Sequence, residues 1–548
     1  FSFLTITLPS FHDDFLVALD REYVGPDLFT GFRRTRGTQL PAFLRGFVDQ
    51  VFDSETGRLL NDPNPDAIRA VRQACLFFSK IHLPCSDARV RKAIRGYIEC
   101  EKEVREITTR LETDWVEARE PLLDRFSDWF NALFGDLCTE WDARLYNLAY
   151  DPELRPKHGP GATADRLRGN RKWLQREWTT RLEKVMPAGE MLLPSWRSAD
   201  LLDSIDFLEP GAERPVRVIT VPKTLKAPRI IAIEPTAMQY AQQMLAEMLV
   251  DGMESARFPY SSMIGFNDQA PNQHLARDGS FSGELATLDL SEASDRVSNR
   301  LVKVAFARYP TLFEAVQASR SKRADVPGYG VIPLAKFASM GSALTFPIEA
   351  MIFLSVIMIG IEDALKIPAG GSQRSRRMLA DDFRSSVRVY GDDMIVPTHC
   401  VQEVVRSLEA FGLKVNSRKS FWTGSFRESC GKEYWHGHDV SVVKCRQILP
   451  SSPRNVDECI STVSLRNQLY RSGLWKTAAH LDELIEKALR GRYPVVADTS
   501  PVLGRHSFLG YQTERMHAEL HSPLVKGYVA YAPLPRNPLE GEAALLKW

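Results

Sequence analysis

The spacing of apolar and polar positions changes several times along the chain, and each change marks an element. Leu285-Ala286-Thr287-Leu288-Asp289-Leu290 is a short, nearly continuous apolar run and predicts a buried strand. A helix is expected to start at Ser291 to Ser294, with Val297, Leu301 and Val304 on one face. Thr345 to Ile361 is apolar nearly all round. Its strongest part, Met351 to Ile361, is too short for a membrane span and is flanked by Glu349 and Glu362, so a buried core helix is expected. Val401, Val404, Val405 and Leu408 mark a third helix, with Gly412 as its C-cap. Two β-prone runs, Val387-Arg388-Val389 and Met394-Ile395-Val396, flank Tyr390-Gly391-Asp392-Asp393 and predict a tight hairpin whose Gly supplies positive φ. Up to about Tyr150 the pattern is mostly helical, most clearly from Val90 to Phe134. Lys157-His158-Gly159-Pro160-Gly161-Ala162 breaks it as a loop. After Pro450 the chain reads as helical again, notably from Leu481 to Leu489, and past Arg490 the pattern is weak.

Length and composition narrow this picture modestly. A chain of 548 residues exceeds one ordinary domain, so several subdomains are expected. Hydrophobic residues make up 44% and charged residues 25%, as in globular proteins generally. The net charge is only +1, so any nucleic-acid surface has to be local. The eight cysteines show neither Cys-x-x-Cys spacing nor a small disulfide framework, which points to a reducing cytoplasm. The chain begins Phe1-Ser2-Phe3 without a charged leader, and no signal peptide is expected.

Candidate chemistry centres on the carboxylates. Asp392 and Asp393 repel each other at a hairpin tip unless a cation neutralises them, and hard oxygen ligands suit Mg²⁺ or Mn²⁺. Asp289, at the end of the buried strand, would be the third carboxylate of a two-metal site for phosphoryl transfer. Asp295 reads either as a helix N-terminal acid or as a group reaching a bound ribose. Lys223, Lys226 and Arg229, on a Pro-braced segment, form either a triphosphate cradle or a solvated basic loop. Ser339-Met340-Gly341 opens the apolar helix. It is either a turn that lets a sugar or base approach closely or an ordinary helix start.

Arg166 to Lys184 carries seven basic residues with Trp173 and Trp178 interleaved. Two readings stay open. One is a single-stranded nucleic-acid surface using Arg171, Lys172, Trp173 and Arg176. The other is a surface helix anchored in the core by its Trp residues. Asp381-Asp382 is expected to be a solvated turn after an Arg-rich loop. Cys430, His436, His438 and Cys445 match no common structural-zinc spacing.

The ordered set resembles the palm motifs of viral RNA-directed RNA polymerases, and among them the replicase β-subunits of the single-stranded RNA bacteriophages, the leviviruses. The residues that carry the likeness are Leu288-Asp289-Leu290-Ser291-Glu292-Ala293-Ser294-Asp295, Ser339-Met340-Gly341 through Thr345-Phe346 and Glu349, Tyr390-Gly391-Asp392-Asp393, and Phe426-Arg427-Glu428-Ser429-Cys430-Gly431. The likeness spans about Val221 to Val443. The chain departs from the pattern at Ser342-Ala343, where the family is expected to have Asn-Gly, and at Pro347.

The resemblance implies an α+β right-hand fold of fingers, palm and thumb, with an antiparallel palm sheet flanked by helices. Its expected parts are an N-terminal region and fingers over 1–240, a palm with finger insertions over 241–445 (catalytic core about 275–425), and a thumb and C-terminal region over 446–548. It makes Asp289, Asp392 and Asp393 ligands of two Mg²⁺ ions, with Mn²⁺ as a substitute. Lys223, Lys226 and Arg229 become triphosphate contacts. Asp295, Ser339, Gly341 and Thr345 fall at the ribose and nucleotide, and Lys419 becomes the group that protonates departing pyrophosphate.

Its expected partners are a single-stranded RNA template and product, ribonucleoside triphosphates, host translation elongation factors and a ribosomal protein. No membrane is expected, and the expected location is the cytoplasm of an infected bacterium. Two alternatives stand beside it. A reverse transcriptase would be expected to carry a bulky aromatic where Ser291 to Asp295 is small and polar. A catalytically inactive RNA-binding assembly protein would have no need of the full set of carboxylates and cations.

Overall fold

The computed structural model describes residues 1–117, 121–368, 370–532 and 538–548. The architecture is mixed α+β with several separate sheets. The chain forms two compact units, neither continuous in sequence. One comprises Phe1–Val90, Pro222–Pro228 and Val440–Pro535; the other comprises Arg91–Val221, Arg229–Asp439 and Arg536–Trp548. The helix Thr236–Glu254, most of whose side chains are buried, runs across the boundary expected at 240.

The first unit packs Val456–Arg471 against Trp475–Ala488 and buries Cys459, Val463, Leu469, Leu481 and Ile485 between them. Its N-terminal end is organised by Phe11, whose ring meets those of Phe29, Phe32 and Phe43 at 4.6 to 5.3 Å. Asn64 starts the helix Pro65–Leu76 by accepting hydrogen bonds from the Asp66 and Ala67 backbone N–H groups.

The second unit holds the expected strand and hairpin. Its central sheet has four strands in the order Lys414–Val415, Leu285–Ser291, Asp393–Pro397, Arg388–Tyr390, each antiparallel to its neighbour. Thr345–Ala364 is the buried helix expected from the sequence. By length and composition it passes as a membrane-spanning helix, yet 94% of its most apolar 18-residue window is buried inside the protein. It packs on Val401–Ala410 and Leu122–Tyr146. Gly360 makes the first of these contacts possible, because a Cβ there would lie 2.5 Å from the Val404 Cα. Truncating a side chain such as Phe353, fully buried in this helix, to Ala would cost about 3–5 kcal/mol. Val401–Ala410 ends as expected: Gly412 has φ +85°, and Leu413 N–H returns to the Leu408 carbonyl at 3.0 Å.

Two expectations change and one is refined. The helix after the central strand is split into Ala293–Arg296 and Asn299–Phe306, because Ser298 is extended and caps the second piece through the Leu301 N–H. The helical stretch Val90 to Phe134 belongs to two helices, Asp87–Glu117 and Leu122–Tyr146. Arg374 to Asp382 is no loop and turn. It lies in the helix Gln373–Asp382, whose start Ser372 caps, and Asp381 pairs with Arg384 at 2.6 Å. The eight cysteines are all free thiols.

Candidate active site

The hairpin is built by its glycine and by what lies under it. Tyr390 and Asp393 face each other across a two-residue turn, with Gly391 at φ +60° and no positive φ at Asp392, the II′ arrangement. A Cβ on Gly391 would sit 2.4 Å from the Phe346 ring. Phe346 also meets Tyr390 and Phe266 edge-on, at 5.6 and 5.4 Å. The Thr345-Phe346 stretch is therefore the floor of the carboxylate turn. The Tyr390 hydroxyl donates to the Phe266 carbonyl at 2.8 Å and fixes one arm of the hairpin.

Register brings two of the expected carboxylates together, since Asp289 is the direct cross-strand partner of Asp393. Asp392 projects from the exposed tip. Asp289 accepts from Asn416 Nδ2 at 2.9 Å and from Lys419 Nζ at 3.1 Å. Its backbone N–H donates to Ser420 Oγ at 3.0 Å. Asp393 Oδ2 accepts the Cys430 N–H at 3.1 Å. This gives the Phe426 to Gly431 motif a physical role. Its turn, with Cys430 and Gly431 both at positive φ, delivers a backbone donor to the second hairpin carboxylate. Arg427, fully buried, anchors that small sheet by donating to the Leu285 carbonyl at 2.6 Å.

Burial, then the neighbouring Asp392, Glu428 and Asp289 carboxylates, push the Asp393 carboxyl up to about 7. Desolvation works against the Lys419 ammonium, but Asp289, Glu428 and Asp392 outweigh it and hold the group above its ordinary value. Glu349, 7% exposed, is pushed well up by burial and by Asp392 and Asp295, and its Oε2 has no hydrogen-bond partner among the described residues.

Whether these residues suit a divalent ion is a question of donors and of placement. The donors are hard oxygens, and the upward shift of Asp393 records a crowding of negative charge that a cation relieves. The placement is not that of a finished site. Among the described residues no three His, Cys, Asp or Glu side chains are gathered to hold an ion. Asp289 is held by Lys419 and Asn416, and Asp393 by the Cys430 N–H.

The expected nucleotide contacts are held in place by other parts of the fold. Asp295 Oδ1 accepts from Lys336 Nζ at 3.1 Å. Lys336 is fully buried, lies 3.7 Å from the Tyr97 ring centroid, and has Glu101 at 3.8 Å. Ser339 Oγ and the Tyr97 hydroxyl are 3.1 Å apart, and Thr345 Oγ1 donates to the Ser339 carbonyl at 3.0 Å. Gly341, at φ +135°, lets its turn lie on the strand Arg229–Ile233. A Cβ there would be 2.0 Å from the Ala232 carbonyl oxygen, and the Ala232 N–H donates to the Met340 carbonyl. The close approach expected of this glycine is made to protein backbone. Arg229 opens that strand and is exposed. Lys223 and Lys226 belong to the first unit, where Lys226 lies 3.7 Å from Asp13.

The basic, aromatic segment is no single surface helix. It comprises a 3₁₀ turn (Gly169–Leu174), a strand (Glu177–Thr179) and a short helix (Thr180–Glu183). Lys172 is 2% exposed and donates to the Gly159 and Gly161 carbonyls at 2.6 and 2.5 Å, so its charge is spent inside the fold. Trp178 is fully buried, with its indole N–H on the Met186 carbonyl. Trp173 packs edge-on against His158, while Arg171 and Arg176 are exposed.

Sequence reasoning assigned no role to Lys336, Tyr97, Asn416 or Glu428. A lone lysine in the apolar Phe337-Ala338 neighbourhood was the available signal for Lys336; Tyr97 comes from a distant helix and gave none.

The stretch that holds this site is similar to known proteins. Residues 212–479 match the family described as "RNA replicase, beta-chain". The "RNA-directed RNA polymerase subunit beta" of Enterobacteria phage SP is 31% identical over 339 residues, covering 60% of this chain and 52% of that protein. The corresponding subunit of Escherichia virus Qbeta is 34% identical over 268 residues, covering 48% and 40%. The "RNA-directed RNA polymerase beta chain" of Escherichia phage MS2 is 35% identical over 223 residues, covering 41% and 36%. The matched part thus spans about half or less of these relatives' length. A solved structure described as "In situ structure of BmCPV RNA-dependent RNA polymerase at elongation state" aligns with 66% of this chain and 33% of its own, at 11% identity and a TM-score of 0.38, too low to define a shared fold. The hairpin and its cross-strand aspartate lie inside the matched stretch, and the relatives that share it form one class, the RNA-directed RNA polymerases. Within it, residues 212–479 of this chain are similar to the replicase β-subunits of the single-stranded RNA bacteriophages.

Proposed function

We propose that the chain is the polymerising subunit that copies a viral single-stranded RNA genome, by nucleotidyl transfer from ribonucleoside triphosphates. The observation that carries this reading is the register of Asp289 against Asp393 beneath the exposed Asp392. A primer or product 3′-hydroxyl attacks the α-phosphorus, a new P–O bond forms, and the bond to the β-phosphate oxygen breaks to release pyrophosphate. Asp289, Asp392 and Asp393 are the residues proposed to hold two Mg²⁺ ions, or Mn²⁺ in their place. When bound, these ions would supply charge stabilisation at the attacking and leaving oxygens. Lys419, kept protonated beside Asp289, is positioned to give its proton to the departing pyrophosphate. Lys223, Lys226 and Arg229 are proposed as triphosphate contacts on their sequence pattern. Asp295, Ser339, Gly341 and Thr345 are proposed to shape the ribose side, with Lys336 fixing the Asp295 carboxylate. Arg171, Arg176 and Trp173 remain proposed RNA contacts.

A right-hand arrangement of fingers, palm and thumb, recruitment of host elongation factors and a ribosomal protein, and action in the bacterial cytoplasm belong to the same proposal by kinship. The small, polar run Ser291 to Asp295 favours ribonucleotides over the deoxyribonucleotides of a reverse transcriptase. A template-extension assay supplied with ribonucleotides, deoxyribonucleotides or neither tests the reading. Extension with deoxyribonucleotides alone would favour a reverse transcriptase, and RNA binding without extension an inactive assembly protein.

A further inference from the structure

Away from the carboxylate hairpin, a cavity of about 240 Å³ is lined by Ala162, Thr163, Arg166, Leu167, Arg168 and Arg217. Three arginines and no acidic residue are among the residues that line it. Mutual repulsion disfavours such convergence unless the fold enforces it or an anion relieves it. Here the fold enforces it from two directions. Arg217 comes from the strand Val216–Val221, and its Nε is out of solvent contact with no hydrogen-bond partner among the described residues. The other two arginines come from a loop that is tied down. Thr163 is fully buried with its hydroxyl on the Leu167 carbonyl at 3.1 Å. The Ala164 N–H donates to the Glu234 carbonyl at 2.8 Å. Arg166 is held at φ +65°, a backbone conformation costly for a residue with a Cβ.

We infer that this cavity is a phosphate-binding site, and that its ligand is a backbone phosphate of single-stranded RNA held outside the reaction centre. Planar guanidinium groups around one cavity suit the oxygens of a phosphodiester. A polynucleotide fits better than an isolated anion, because Leu167 also walls a second cavity of about 290 Å³ that contains Arg176 and Arg214. The second cavity is also lined by the acidic residues Asp165, Glu177 and Asp206. Asp165 accepts from Thr236 Oγ1 at 2.6 Å, and Glu177 is engaged by Arg214 Nε at 2.5 Å. The choice of RNA as ligand rests on the proposed polymerase function; the phosphate site itself rests on the arginines.

The test uses the full chain and a fluorescent single-stranded RNA oligonucleotide, with affinity measured by anisotropy across a salt series, and ATP and GTP binding measured in parallel. R166Q and R166Q/R217Q are expected to bind RNA about tenfold more weakly. The slope of log affinity against log salt should shrink by about 0.7 for one lost phosphate contact. R166K should recover the slope, and nucleotide binding should be unchanged. R166Q, on an exposed loop residue, stands as the test if the double variant does not fold by circular dichroism. Unchanged RNA affinity and slope in folded R166Q would overturn the site. Weakened nucleotide binding with RNA affinity intact would overturn RNA as the ligand. Because no turnover is needed, loss of polymerase activity in every preparation would refute the proposed function without touching this result.

Discussion

Asp295→Ala should destabilise the second unit by about 3 kcal/mol, because Asp295 is the nearest counter-charge of a fully buried lysine. At 3.1 Å and an effective dielectric near 20, the Asp295–Lys336 attraction is about 5 kcal/mol before desolvation is subtracted. Removing one partner of a buried pair typically costs about 3–5 kcal/mol. Glu101, at 3.8 Å from the same ammonium, places this case at the lower end. Burial opposes the Lys336 charge, but Asp295 leads the groups that raise it above its ordinary value. The pair's contribution is therefore fully present below the unfolded lysine value and is lost only in strongly alkaline solution, so the cost should be constant between pH 6 and 9. The assay is urea denaturation followed by tryptophan fluorescence for wild type, Asp295→Ala, Lys336→Met and the double variant. The double variant should be more stable than Asp295→Ala, since exchanging both members of a buried pair for apolar groups is often nearly neutral. A loss below 1 kcal/mol in Asp295→Ala, or no recovery in the double variant, would refute this reasoning and leave Asp295 free for a ribose.

Three further outcomes are expected. Gly341→Ala should cost at least about 2 kcal/mol by the same denaturation assay, because its Cβ would meet the Ala232 carbonyl oxygen at 2.0 Å; wild-type stability would show that the turn relaxes freely. Burial, then Lys172, hold His158 down to about 3, so stability should fall as pH drops from about 6.5 toward 3; a His158→Gln chain with the same pH profile would contradict this. Chelation should stop nucleotide incorporation reversibly, with Mg²⁺ or Mn²⁺ restoring it and Zn²⁺ failing to; full activity in the chelator would refute the metal assignment.

The hairpin and the helix Val401–Ala410 were legible because each has its own period and is bounded by its own breaker, Gly391 and Gly412. Local spacing could not reveal groups meeting from far apart in sequence. Tyr97, Lys336 and Asp295 come from three such places, and only the fold shows that Asp295 is already engaged. Lys172 looked like a surface charge because its segment is basic; two loop carbonyls draw it inward. Conversely, Cys430 was read as part of a signature with no mechanism, and the structure supplies one in its backbone N–H to Asp393. The split helix followed from Ser298, whose capping competes with a continuous helix that apolar spacing alone favoured.

The most direct test of the central claim is template-dependent incorporation of labelled ribonucleotides by the full chain with Mg²⁺, beside Asp392→Asn. Wild type should make product complementary to the supplied RNA. Asp392→Asn should lose at least about 100-fold in rate while keeping its fold and RNA affinity. Comparable rates in the two proteins would contradict the account.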